Sequence, residues 1–531
     1  MSRMRLIGGM AAAAAALALL VSAFPAQQPT PPKKEPVPPQ VFDPGFVPGQ
    51  QPSGKPLGKQ QIEQLKPYSN PVLGFNPYLS AQQNLQQGNQ RPVSADNPEP
   101  FKSKEGKTGW KVTIPGNHPL ATPAVADDTI FLGGGFGSHE FYAFDAKTGK
   151  KDWLYQTADD GPTAAVVSDG NIGFNTESCE LEILTLEGKP VWKKWLGDPL
   201  MSMPAIDQGK VYMAYPDSKG DHKHYLACFE LKTGKPFWKH EIVGEVITSP
   251  VVADEKVYVA TLEGTMYCFG QHDGEEIWKE KKNATSSPVI WNKGCYFSRR
   301  EAEEIVKDGK KVTQQTEILA LRPVVKDGTL SDLKETKRNA DDLDYGKRKA
   351  DSKLEKSQEL HDAGVGFAGA SKGDGKLGQA QMNLGRANVS GVWSYQGSRP
   401  FIYKDKMYSA MGDTIKCVDP KTEKVIWSKT FGDGKDKDVQ LDGLLTPPSI
   451  VNDHVFLGTS KGEVICLTAD KGDMVWHTSV SEPILFQPAV AKGRVYVSTN
   501  HGSIFCLETG DDKDDGWLMW GANAAHNGMA K

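Results

Sequence analysis

From Trp110 onward the chain alternates short apolar runs with polar turn clusters, and the alternation repeats. The unit from Pro250 to Trp278 shows it most plainly. Pro250-Val251-Val252 is followed by a turn at Asp254-Glu255-Lys256 and the run Val257-Tyr258-Val259-Ala260. A turn at Glu263-Gly264 leads to Met266-Tyr267-Cys268-Phe269, and a third at Asp273-Gly274 leads to Ile277-Trp278. Short apolar runs bounded by turn residues such as Gly and Asp read as strands, and tight turns join them into antiparallel hairpins. Four strands in about 40 residues are the size of one propeller blade.

The same order recurs along the chain. Opening prolines stand at Pro123, Pro162, Pro204, Pro250, Pro288, Pro400, Pro448 and Pro488, 38 to 48 residues apart except for one step of 112. Closing tryptophans stand at Trp153, Trp192, Trp238, Trp278, Trp427 and Trp476, while the fifth unit, Pro288 to about Arg322, has none. Trp110, in Thr108-Gly109-Trp110, has the look of a blade's tail but precedes the first complete unit. An open sheet edge invites pairing with other chains, and a ring removes it by letting the first strand complete the last blade. The pattern therefore predicts an all-β, eight-bladed β-propeller of four-stranded antiparallel blades over 106–528. It also places Trp110 in the same blade as Val495 to Leu507, so that the N-terminal strand closes the ring.

The turn before the closing Trp carries a sharper signature. Ala143-Phe144-Asp145-Ala146-Lys147-Thr148-Gly149-Lys150-Lys151-Asp152-Trp153 is similar to the docking motif A-x-D-x-x-T-G-x-x-x-W of pyrroloquinoline-quinone (PQQ) repeats, and related copies run Cys228 to Trp238, Cys268 to Trp278, Cys417 to Trp427 and Cys466 to Trp476. The chain thus resembles the PQQ-like repeat propellers over about residues 108–528. This family includes the quinoprotein dehydrogenases and the BamB-like propellers, which assist outer-membrane protein assembly and bind no quinone. The resemblance implies a propeller in which Trp110, Trp153, Trp192, Trp238, Trp278, Trp427 and Trp476 are structural docking residues. One fold hosts many activities, so it does not choose between the two functions.

Composition narrows the choice. Lys and Arg number 62 against 66 Asp and Glu, a formal charge of −4 with no basic patch, which argues against nucleic acid as a partner. Arg3 and Arg5, the Ala-rich apolar run Leu6 to Phe24 and the small residues Val21-Ser22-Ala23 read as a secretory signal peptide over 1–23, an uncleaved anchor being the competing reading. No Cys follows the leader to carry a lipid. The expectation is a periplasmic or secreted protein, monomeric as a ring, with no stable membrane span once the leader is cut. Residues 24–105, rich in Pro, Gln and Asn, read as a disordered arm. The long step holds an insertion at about 326–398, charged from Lys334 to Lys356, where an exposed helix is one expectation, and glycine-rich from Gly364 to Gly397.

Candidate chemistry is sparse. Cys228, Cys268, Cys417, Cys466 and Cys506 share one strand position, filled by Ala143 and Ala320 in the first and fifth units, and read as small buried residues. Cys179 and Cys295 stand outside the pattern; export would permit a disulfide between them, but their spacing does not require one. Adjacent cysteines, which quinoprotein alcohol dehydrogenases place over their cofactor, do not occur. His222 and His224 with Asp217 and Asp221 have metal-ligand chemistry, though a polar hairpin loop explains them as well. Arg386, Asn388, Trp393 and Tyr395, at the end of the insertion, have the chemistry of a partner-binding loop. Trp520 to Gly528 reads as packing against the ring closure. The sequence reads best as a non-catalytic exported scaffold for envelope or extracellular proteins, possible roles including outer-membrane assembly, with no cofactor expected; the alternative is a PQQ-dependent dehydrogenase with calcium.

Overall fold

The computed structural model describes residues 97–516 apart from 324–333, 338–399, 432–440 and several breaks of one to six residues. The leader, the arm as far as residue 96, the Arg386–Tyr395 loop and the Trp520–Gly528 segment lie outside the described residues. Among those described there is no helix. The strands form seven four-stranded antiparallel sheets, each meandering from first to fourth strand, and one further sheet of five strands. Sheet 1 comprises Ala124–Ala126, Thr129–Gly133, Glu140–Asp145 and Lys151–Gln156. Sheets 2 to 7 begin at Val166, Ala205, Val251, Val289, Pro400 and Ser449. This is the propeller arrangement.

The fifth strand is a correction to the expected set of four-stranded blades. The terminal sheet is built from Ala489–Ala491, Arg494–Ser498 and Ser503–Glu508 together with Thr108–Thr113 and Glu99–Lys102. Trp110 pairs with Cys506 and Val112 with Ile504. A turn at Ser103–Lys107 then folds Glu99–Lys102 back along Thr108–Thr113, with Phe101 opposite Gly109. Residues assigned to the arm thus form an edge strand, and the Phe101 ring lies edge-on to Phe505 at 5.1 Å. That apolar contact is what the composition of the preceding stretch conceals.

Sheet 5 departs from the repeat in two ways. Its second and third strands, Gly294–Lys307 and Lys310–Pro323, are 14 residues each and pair along their whole length. Its fourth strand is Lys334–Lys337, which falls where the sequence suggested an inserted helix. Glu335 stands opposite Ala320, where the other sheets have a tryptophan.

The repeated cysteine position is explained by a ladder across three strands. Tyr212–Cys228–Trp238, Tyr258–Cys268–Trp278, Tyr408–Cys417–Trp427 and Phe456–Cys466–Trp476 are cross-strand neighbours. In the terminal sheet the set is Tyr496–Cys506–Trp110. A small central residue lets the two outer rings meet over it, 6.0 to 6.3 Å apart. Sheet 2 reverses the sizes: Gly173–Ile183–Trp192. A Cβ on Gly173 would lie 2.9 Å from Ile206 Cδ1 and 3.1 Å from Ile183 Cδ1, so Ile206 and Ile183 together occupy the space the aromatic ring fills elsewhere. Gly173→Tyr should therefore destabilise by about 3 kcal/mol through overpacking. Adding Ile183→Cys should recover at least about 1 kcal/mol of it. Urea midpoints of the two variants check this; equal midpoints would contradict the exchange of volume.

Four docking tryptophans are tied to the next sheet by hydrogen bonds. The indole N–H groups of Trp153, Trp192, Trp238 and Trp427 donate to the carbonyls of Leu186, Leu231, Gln271 and Ala469, at 2.7 to 3.2 Å. Each acceptor opens the turn between the third and fourth strands of the following sheet. The motif glycine of that turn faces the ring: a Cβ on Gly188, Gly234, Gly274 or Gly472 would come within 2.5 to 2.8 Å of the indole. These glycines have φ near +70°, so both conformation and space require glycine. Gly149 of sheet 1 stands in the same relation to Trp110, at 2.8 Å. Trp476 faces the terminal sheet, which lacks such a turn because its fourth strand comes from the other end of the chain. There Lys107 Nζ lies 4.2 Å above the indole and donates to Thr509 O at 2.8 Å, the carbonyl equivalent to the other acceptors.

Candidate binding surface

The fourth strand of each sheet carries the docking Trp on one side and the neighbouring residue on the other, by the two-residue period of a strand. Val191, Phe237, Ile277, Ile426 and Val475 precede docking tryptophans, and all are exposed. On the adjacent sheets 2 and 3 Trp195 is 56 %, Phe237 53 % and Val243 60 % exposed, and on sheet 6 Val425 is 54 % exposed. Trp195 is the last residue of the fourth strand of sheet 2, and Val243 directly follows the fourth strand of sheet 3. Large apolar side chains left open on neighbouring sheets are the chemistry of a protein contact. They look like core in a sequence read by hydrophobicity alone. The available signal was the pair of adjacent apolar residues, as in Phe237-Trp238, since both cannot face one side of a strand.

The opposite, first strands of the sheets lie beside one another: Ala124–Ala126 contacts both Ala489–Ala491 and Val166–Ser168, which in turn contacts Ala205–Asp207. Ser, Thr or Gln residues next to six of the eight opening prolines form a belt there. Ser249 Oγ donates to Pro204 O at 3.1 Å, Ser287 Oγ to Ser249 O at 2.9 Å and Gln487 Nε2 to Pro448 O at 2.8 Å, while Ser449 Oγ donates to Pro488 O. Thr122 Oγ1 and Gln487 Oε1 are buried there with no protein partner. Two isolated neutral oxygens suit ordered water. A quinone bearing three carboxylates with a calcium ion needs cationic donors and carboxylate ligands, and the described belt residues supply hydroxyl, amide and carbonyl groups already bonded to one another.

The repeat is recognised independently by a family profile described as outer membrane protein assembly factor BamB, which matches residues 180–330 and 411–530. The chain belongs to this family of PQQ-like repeat propellers. No curated protein sequence matches it. Among solved structures it is similar to BamB from Moraxella catarrhalis, at 13 % identity over 75 % of this chain and 96 % of that one, with a TM-score of 0.47. The computationally designed protein Ika8 gives 11 % identity over 74 % and 96 %, TM-score 0.50. A quinohemoprotein alcohol dehydrogenase from Pseudomonas putida HK5 gives 13 % over 77 % and 78 %, TM-score 0.48. At these identities the likeness is of fold alone.

In this BamB-family chain the remaining sequence candidates separate cleanly. His224 begins the third strand of sheet 3, opposite Pro216, whereas His222, Asp217 and Asp221 lie outside the described residues. Cys179 and Cys295 are buried free thiols in different core clusters, so the disulfide that export would permit is not formed. Burial pushes the Cys228, Cys268 and Cys506 thiols up to about 12, which keeps them neutral and unreactive. Sequence reasoning missed Glu182. It is fully buried between sheets 1 and 2, accepts a 2.6 Å bond from Tyr155 Oη at Oε2, and leaves Oε1 without a partner. Desolvation raises its pKa to about 7, opposed by the Tyr155 bond. No helix among the described residues is long and apolar enough to cross a membrane.

Proposed function

We propose that this chain is an exported, non-catalytic scaffold whose eight sheets close into one ring and whose rim docks proteins of the cell envelope, as in outer-membrane protein assembly. Membership of the BamB family supports the envelope setting. The pairing of Trp110 with Cys506 and the seating of Gly149 on Trp110 support the ring. The docking role rests chiefly on one observation: Trp195 and Phe237 on the outer strands of two adjacent sheets, and Val243 directly after the second of them, stand open.

A photo-crosslinking residue at position 195, in the full chain in cells of the source organism, tests the reading. Adducts with envelope assembly proteins are expected. Trp195→Ala with Phe237→Ala should weaken binding of the identified partner at least about tenfold, since aromatic anchors of an interface carry about 2 kcal/mol or more each. The melting temperature should be unchanged, because both side chains are exposed. A 1:1 complex of the purified chain with PQQ and calcium, seen as a bound absorbance band with dye reduction, would instead establish the quinoprotein alternative.

A further inference from the structure

After its last strand, Ser503–Glu508, the chain turns back across the boundary between the terminal sheet and sheet 7. Three hydrogen bonds fix this returning segment. Gly493 N donates to Asp514 O at 2.8 Å, Asp514 N to Asp511 O at 3.0 Å, and Lys492 N to Asp515 Oδ1 at 3.0 Å. They aim two carboxylates at the turn between the first two strands of sheet 7. His454 Nδ1 lies 2.7 Å from Asp514 Oδ1, and Asn452 Nδ2 lies 3.0 Å from both Asp514 Oδ1 and Asp511 Oδ2. One donor atom each from His454, Asp511 and Asp514 fall within 4.8 Å of one another. The imidazole is set edge-on against Phe456, with ring centroids 6.1 Å apart and planes at 80°.

Charge makes this arrangement unusual. Asp514 is 1 % exposed, and a buried carboxylate needs a compensating positive charge. Among the nearby lysines, Lys107 bonds Thr509 O and lies over the Trp476 face while its charge still reaches Asp514, Lys513 acts on Asp511, and Lys492 Nζ pairs with Asp128 at 2.6 Å. The charge of Asp514 reaches the core behind it, where it adds to the burial that holds the Cys466 thiol far above its ordinary value. A divalent cation at this point would balance both carboxylates and take the imidazole nitrogen as a ligand.

We propose that His454, Asp511 and Asp514 form a binding site for a borderline first-row divalent cation of the zinc type, which staples the returning segment of the chain to sheet 7. The imidazole nitrogen favours such an ion over calcium, which prefers oxygen ligands alone. Asn452, turned to present its amide oxygen, is placed to be the fourth ligand. The donors come from two segments about 60 residues apart in sequence, so bound metal stabilises the boundary where the two ends of the chain meet.

The test uses the purified full chain, stripped by a chelator, with ZnCl2 in calorimetry and CoCl2 in absorption spectroscopy. One saturable site per chain, a cobalt ligand-field band and a raised melting temperature are expected. His454→Ala and, separately, Asp511→Asn should weaken the site about tenfold or more, as loss of a metal ligand does at least as much as loss of its supporting contacts. The chain has 11 histidines, so His272→Ala, altering a turn of sheet 4, serves as the control and should leave the site intact. Asp511→Asn changes a partly exposed residue, which keeps the test valid if His454→Ala fails to fold. Equal binding by all variants, no saturable binding, or preference for CaCl2 over ZnCl2 overturns the proposal.

Discussion

Trp238→Ala is expected to lower the unfolding free energy by about 3 to 5 kcal/mol, the cost of removing a large buried aromatic ring. The indole is 8 % exposed, packs at 6.0 Å from the Tyr212 ring, and donates to Gln271 O at 3.2 Å. Its removal opens a cavity between sheets 3 and 4 and leaves that carbonyl short of a partner. Gly274→Ala should also destabilise, because its Cβ would stand 2.5 Å from Trp238 Cδ2 at a φ of +69°. In the Trp238→Ala background the collision with the indole disappears, leaving the backbone cost of about 1 kcal/mol and a closer contact with His240 Cδ2, at 2.9 Å. A double-mutant cycle in urea should therefore give a clearly non-additive result. Additive losses would mean that the glycine and the tryptophan are not one docking unit.

Glu182→Gln should stabilise the protein at neutral and alkaline pH and have little effect near pH 4. The carboxyl has its pKa raised from 4.5 to about 7, first by desolvation and further by Glu180 and Asp159, while Tyr155 and Lys193 oppose. Between those two values the folded chain keeps a proton that the unfolded chain has released. Stability contributed by the neutral acid is thus complete below about pH 4.5, falls as pH rises towards 7, and is gone above it. A shift of this size corresponds to about 3 kcal/mol. Glutamine cannot ionise, so its advantage should grow through that window and then level off. Unfolding midpoints of both forms from pH 4 to pH 9 check the sign; an advantage independent of pH would assign the effect to packing instead.

The docking turns were legible because they are local. Asp145 Oδ1 accepts bonds from Thr148 N and Oγ1, both at 2.7 Å, and Gly149 N donates to Asp145 O at 2.8 Å, all within five residues. The equivalent cysteines were legible for a related reason: a small residue recurring at one place in a 40-residue unit marks one place in a sheet. The rim residues were not, since Phe237 and Val191 look as apolar as the core, and only the position of the next sheet decides which side is covered. Glu182 was hidden in the same way. On a strand reading Glu180–Leu184 an acid at 182 suggests solvent, but Tyr155 of sheet 1 lies over it.

The sequence by itself determined the strand grammar, the four strands of each unit, the glycine turns and the tryptophans that join one sheet to the next, because each rests on contacts within about 40 residues. Only the tertiary structure decided what happens where distant segments meet. The Phe101–Phe505 contact of the edge strand, the Lys107 cover on Trp476 and the His454–Asp514 pair join residues 60 to about 400 positions apart. No periodicity encodes such meetings. They depend on how far each sheet turns relative to the last, which accumulates from small packing terms across the whole molecule.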